Sequence, residues 1–149
     1  MPYVKRINGV VVGTFEVKQP EVAEELLADG HADLLTLNKA HRLEEVQKKT
    51  DGLIAKGFVH SGKTFSLSQN CQINLLGMMT SAASLTYPVD YSTLDDSEVH
   101  QVADAAEVAA MYNAALATKK SHLDSGNALK DSIAGAVDQA ALDAIVDSR

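Results

Sequence analysis

The stretch Gly57 to Thr64, GFVHSGKT, has the residue types and spacing of a phosphate-binding loop: Gly57, four residues, Gly62, Lys63 and Thr64. In such a loop, backbone amides freed by glycine cradle the phosphates, the lysine neutralises charge and the hydroxyl meets magnesium. On pattern alone, the chain binds a nucleoside triphosphate. The chemistry depends on the flanks, however. A working loop leaves a buried parallel strand and enters a helix whose N-terminal amides face the anion. Here Gly52-Leu53-Ile54-Ala55-Lys56 ends an amphipathic helical pattern, with Gly57 in a C-cap position. After Lys63, Thr64-Phe65-Ser66-Leu67-Ser68 alternates polar and apolar, the pattern of a half-buried strand. No downstream apolar strand ends in an Asp to hold magnesium, and alternating strand–helix units are missing. The expected element is a β-hairpin, Phe58–His60 turning through Ser61-Gly62-Lys63 into Thr64–Leu67. Nucleotide binding at Gly57–Thr64 is the remote alternative.

The other reactive side chains offer less. His31, His41, His60, His100 and His122 are scattered over expected helix, turn and strand, with no HExxH or CxxC spacing. Cys71 is the single cysteine, so no internal disulfide forms, and its helical pattern beside Ile73 suits a small buried residue. Asp95 and Asp96 are adjacent carboxylates, but DxDxDG spacing is absent, and turn chemistry is expected there. There is no G-x-S-x-G elbow and no dinucleotide fingerprint. The expectation is a non-enzyme with no catalytic residue, cofactor or metal ligand.

The elements that position these residues follow from periodicity. Tyr3-Val4 and Val10-Val11-Val12 flank Asn8-Gly9, a strong hairpin signal, so a two-stranded ribbon is expected. Two strands alone are marginal in water, so the ribbon must pack on its own following helix or on another chain. Pro20 opens a short expected helix, EVAEELLADG, with Glu21, Glu24 and Glu25 at its positive end and Gly30 as its stop. The apolar run Leu34–Leu37 has no assigned state. A longer helix over residues 38–56 carries Ala40, Leu43, Val46, Thr50, Leu53 and Ile54 inward. Packing within its own domain is the expected use of that face, with self-association the alternative.

After the GFVHSGKT hairpin, Asn70 caps an expected helix to about Leu85, with Ile73, Leu76, Met79 and Ala83 as its inner stripe. Tyr87-Pro88 breaks it. Val89–Thr93 and Glu98–Val102 make a second hairpin around Asp95-Asp96-Ser97. Asp104 and Glu107 form a D-x-x-E capping pattern. The long helix that follows turns Ala105, Val108, Tyr112, Leu116 and Leu123 inward, then Leu129, Ile133 and Val137. Ser125-Gly126-Asn127 is a candidate bend, and Asp138 caps a last short helix.

Composition bounds the partners. With 149 residues and 46% hydrophobic content the chain is long and apolar enough to bury a core. Aromatics are only 5%, so the core is built mainly from Ala, Leu, Val and Ile. A net charge of −7, with no clustered basic face and isolated pairs at Lys48-Lys49 and Lys119-Lys120, opposes a nucleic-acid partner. No apolar run reaches the ~18–20 residues that span a bilayer. The opening MPYVKRINGV carries charge without an apolar leader core. The expectation is a soluble protein made in the cytoplasm.

The run KGFVHSGKTFSLSQNCQINLLGM resembles a family of phage tail-associated proteins with a poorly characterised C-terminal domain. The likeness lies in a G-F-x-x-x-G-x-x-F hairpin, a polar helix start and an aliphatic helix. PVDYSTLDDSEVHQVADAAEV and HLDSGNALKDSIAGAVDQAALDAIV are similar to the family's second hairpin, long helix and terminal helix, so the likeness covers Leu43 to Val146. Tyr91 stands where the family often carries Trp. The start YVKRINGVVVGTFEV is similar to short N-terminal ribbons of proteins neighbouring tail fibres. The resemblance implies a virion structural part of the tail fibre or baseplate region, made in the host cytoplasm and docking other tail proteins. A fibre-assembly chaperone that leaves before maturation is the alternative. The family supplies no catalytic residues. A homo-oligomer is expected, with no nucleic-acid, membrane or small-molecule partner.

The expected fold is α+β. Residues 1–37 form a ribbon and short helix, and residues 38–149 form a mainly helical domain whose two hairpins make a small antiparallel sheet.

Overall fold

A computed structural model of the chain describes residues 1–23 and 25–149. The fold is α+β. By contacts the chain forms two compact units: residues 1–47 with 127–149, and residues 48–126. The expected boundary between residues 37 and 38 falls inside the first helix.

In the first unit, β1 (Tyr3–Ile7) and β2 (Val10–Phe15) pair antiparallel through Asn8-Gly9. Asn8 and Gly9 have φ of 51° and 79°, the positive values that a two-residue hairpin turn of matching twist requires. A bulge between Lys5 and Arg6 lets two short segments stay in register along the ribbon. The ribbon's packing partner is its own chain. Val4 and Val11 are buried with Leu27, Leu34 and Leu37.

The helix expected from Pro20 to Gly30 does not form. Gln19 bridges Ala23, Glu21 takes a left-handed φ of 61°, and β3 (Glu25–Leu26) pairs with the free edge of β1. Glu24, expected in that helix, lies outside the described residues. Ten residues are too few for a helix to stand on propensity alone. The edge of β1 offers backbone partners, and Arg6 binds the Glu25 carboxylate at 2.5 and 3.1 Å. Ala23 and Leu27 are buried by the extended path. Tertiary partners therefore override the local signal.

The next element, α1 (Ala32–Ala55), begins six residues earlier than expected and absorbs the apolar run Leu34–Leu37. Val46 and Thr50 are buried and Leu43, Leu53 and Ile54 half-buried, as the periodicity predicts, while Ala40 is exposed. Val46 packs with Ile133, Ala136 and Leu142 near the C-terminus. Asn38 donates to Gln139 Oε1 at 2.8 Å, and Lys39 to the Ala134 carbonyl at 2.9 Å.

In the second unit, β4 (Phe58–His60) and β5 (Lys63–Phe65) form the hairpin expected of GFVHSGKT. Gly57, at φ 81°, ends the helical path, and Ser61-Gly62 turns the hairpin with φ of 48° and 75°. Ser68, rather than Asn70, caps α2 (Gln69–Ser81), and a short 3-10 turn follows over Ala82–Ser84. The Ser68 hydroxyl accepts the Cys71 N–H at 3.4 Å. β6 (Val89–Ser92) and β7 (Val99–Val102) form the second hairpin. Each hairpin closes its own antiparallel ladder, and Leu94 N–H donates to the Thr64 carbonyl between them at 2.9 Å.

The long helix α3 (Ala105–Gly135) runs unbroken through Ser125-Gly126-Asn127, where a bend was a candidate. Gly126 is buried there. Asp138 caps α4 (Gln139–Asp143) as expected, its carboxylate accepting the Ala141 N–H at 2.8 Å. Phe58, Phe65, Leu67, Leu75, Val102, Val108, Met111 and Ala115 form the core of the second unit. The inner face of α3 therefore differs in part from the expected one. Met111 and Ala115 are buried, Leu116 is half exposed, and Val137 lies beyond the helix and is exposed.

Candidate metal centre

Three of the chemically capable side chains meet in the second unit. His60 lies two residues after buried Phe58 on β4, and His100 two residues before buried Val102 on β7. Alternation along each strand points both rings to the inner side. Glu107 stands in the first turn of α3. Its Oε1 is 2.8 Å from His100 Nε2 and 3.5 Å from His60 Nε2. The three nitrogen and oxygen atoms lie within 4.8 Å of one another.

The capping geometry at the start of α3 positions the carboxylate. Glu107 N–H donates to Asp104 Oδ1 at 2.9 Å, and Glu107 Oε2 accepts the Ala103 N–H at 2.7 Å. These are the reciprocal bonds of a capping box, the second reaching one residue further back. The Ala103 N–H is the main cause holding the Glu107 carboxyl below the usual carboxylate range, against the cost of burial, and the two histidines add to it. One oxygen is thus committed to the backbone. The other faces both imidazoles.

The surroundings are aromatic. The His100 ring meets His60 edge-on at 5.9 Å and Phe65 at 5.6 Å. Phe65 in turn contacts Phe58 and Tyr91 at 5.5 and 5.8 Å. Tyr91, half buried, donates to the Cys71 carbonyl at 3.2 Å, and burial pushes its hydroxyl up to about 12. His60 Nε2 is buried with no hydrogen-bond partner. Leaving such an atom unsatisfied costs about 1–3 kcal/mol.

Spacing along the chain could not reveal this cluster, since His60, His100 and Glu107 come from three elements. The available signal was a titratable residue at the inward phase of each hairpin, facing the same way as Phe58 and Val102. The other candidates stay apart. Asp95 is occupied by its own turn, accepting from Thr93 Oγ, Ser97 Oγ and Ser97 N–H at 2.9, 2.8 and 3.2 Å. Cys71 sits half-buried in α2. His31, near Asp33 at 3.8 Å, belongs to the first unit. Lys63 Nζ pairs with Glu98 at 2.9 Å. The backbone after Lys63 continues as strand β5, where a phosphate loop would enter a helix.

Residues 38–146 match a family described as a domain of unknown function, DUF4376. The chain belongs to that family. No curated protein and no solved structure matches it. The DUF4376 segment contains both hairpins, α2 and the whole His60–His100–Glu107 cluster.

A second feature of the DUF4376 segment is an apolar trough between α2 and α3. Leu67, Ile73, Leu75, Leu76, Tyr112 and Leu116 line a cavity of about 270 Å³. Lys119 Nζ donates to Gln72 Oε1 at 2.5 Å on its rim. Ile73, Leu76 and Leu116 are 59%, 47% and 50% exposed, so a contiguous apolar surface is open to solvent. Among the described residues no helix is long and apolar enough to cross a membrane.

Proposed function

We propose that the chain is a non-enzymatic structural component of a bacteriophage tail, in the fibre, baseplate or connector region. It acts by self-association and by docking to other tail proteins. The observation that carries the docking reading is the trough between α2 and α3. Single exposed apolar residues are ordinary on a protein surface, and what supports an interaction site here is that Ile73, Leu76 and Leu116 gather along one trough with Gln72 and Lys119 at its rim. The cavity is smaller than the ~300–1,000 Å³ of small-molecule sites, and it suits a few inserted side chains of a protein partner.

The tail assignment rests on the resemblance of KGFVHSGKTFSLSQNCQINLLGM and the segments after it to tail-associated proteins. Charge favours the same class of partner, since a net −7 repels nucleic acid. The protein would be made in the host cytoplasm and retained in the virion tail. Mass spectrometry of purified virions tests this, and the expected result is stoichiometric presence. Absence from particles that still require the protein for infectivity would replace this reading with that of a tail-fibre assembly chaperone.

A further inference from the structure

We infer that His60, His100 and Glu107 bind a borderline divalent cation of the zinc class, which clips the two hairpins to the start of α3. Two imidazole nitrogens and one carboxylate oxygen form a donor set typical of zinc and neighbouring transition metals. Magnesium and calcium take six or more oxygens, which this cluster does not offer.

The spacing fits. Zinc binds nitrogen and oxygen at about 2.0–2.2 Å, so tetrahedral ligands sit about 3.3 Å apart. The two separations from Glu107 Oε1, 2.8 and 3.5 Å, bracket that value, and all three ligand atoms lie within 4.8 Å of one another. His60 Nε2 supplies the independent observation. It is a buried nitrogen aimed into the cluster with no hydrogen-bond partner, and a cation would satisfy its lone pair.

The Ala103 N–H on Glu107 Oε2 is the supporting contact that orients a liganding carboxylate. It leaves Oε1 as the single ligand atom. Three protein ligands leave one coordination position for water. The ligand from β4 is forty residues or more away in sequence from the neighbouring pair on β7 and α3. Binding to the folded state alone therefore stabilises the assembled hairpins by mass action. The site stands independently of whether the protein works in a phage tail.

The test uses the full chain, stripped with a chelator and titrated with zinc chloride by calorimetry, with thermal unfolding read in parallel. The expected result is one saturable site per chain and a rise in Tm. His60→Gln and Glu107→Gln should each weaken binding at least tenfold, while His41→Ala leaves it unchanged. Cobalt(II) titration of the unmutated chain gives a readout that needs no variant to fold. Intense visible absorption bands are expected from a low-symmetry site with nitrogen ligands. No saturable zinc binding, no cobalt bands, or zinc affinity undiminished in a folded His60→Gln or Glu107→Gln variant would overturn the site and leave a metal-free hydrogen-bonded cluster.

Discussion

Gly57 approaches the Phe65 backbone so closely that a Cβ on Gly57 would lie 2.0 Å from the Phe65 carbonyl oxygen. The same residue holds φ at 81°. Two separate reasons therefore require glycine at the junction of α1 and the first hairpin. A left-handed backbone costs an L-residue about 1–2 kcal/mol, and forcing atoms into packed space adds about 1–3 kcal/mol. Gly57→Ala is expected to lower stability by at least about 2 kcal/mol. Urea unfolding measures it, and a midpoint shift worth less than about 0.5 kcal/mol would contradict the geometry.

Lys63 should matter much less, although a phosphate-binding loop would make it the key residue. Its partner is Glu98, at 2.9 Å on a surface where both side chains are partly exposed. Pairs of this kind contribute about 0–1 kcal/mol. Lys63→Ala is expected to change stability by no more than that. Calorimetry of the unmutated chain with ATP or GTP and magnesium should give no heat. Saturable nucleotide heat that disappears in Lys63→Ala would restore the nucleotide reading.

What was legible in the sequence was local. Asn8-Gly9, Gly57, Asp104 with Glu107, and Asp138 each sit where short-range backbone rules place them. Three features were not legible, two because they depend on distant partners and one because the helical pattern fits two rotations. β3 exists because β1 has a free edge and Arg6 can bind Glu25. The His60–His100–Glu107 cluster exists because two hairpins bring their inward strand positions to α3. The third is the rotation of α2. That helix is apolar on several sides, through Ile73, Leu75, Leu76, Met78 and Met79, so its periodicity supports two stripes one residue apart. The Ser68 cap and the path of Leu67 into the core select the stripe led by Leu75.

That rotation is directly measurable. Leu75 is 2% exposed, whereas Ile73 is 59% exposed. Leu75→Ala removes buried methyl groups and should cost about 2–5 kcal/mol. Ile73→Ala should stay within about 0.5 kcal/mol, as a surface substitution. Denaturant unfolding of the two variants decides the matter. The reverse order of effects would mean that the stripe of Ile73, Leu76 and Met79 faces the core after all.

If the exposed stripe is a docking surface, a charge on it should separate folding from association. Ile73→Glu and Leu116→Glu are each expected to leave the unfolding midpoint nearly unchanged. Burying an unpaired carboxylate in an apolar interface is costly, so association should fall at least tenfold. Light scattering of the purified chain, together with incorporation into particles, reads the effect. Unchanged association and incorporation in both variants would exclude the trough as the contact surface.

The Asp95 turn gives a pH signature. The Ser97 hydroxyl is the main cause lowering the Asp95 carboxyl below its ordinary value, with the Ser97 N–H and the Thr93 hydroxyl adding to it. Each donates to the ionised form, which folding therefore favours. A depressed folded pKa means that the turn's contribution is fully present above the unfolded value near 3.8. It is lost as pH falls through the lower folded value. Carboxyl NMR should accordingly show Asp95 titrating below 3.8 in the folded chain. In Ser97→Ala the midpoint should move up toward that value, because the largest donor is gone. A midpoint at or above 3.8 in the unmutated chain would show that these hydrogen bonds do not hold the turn in solution.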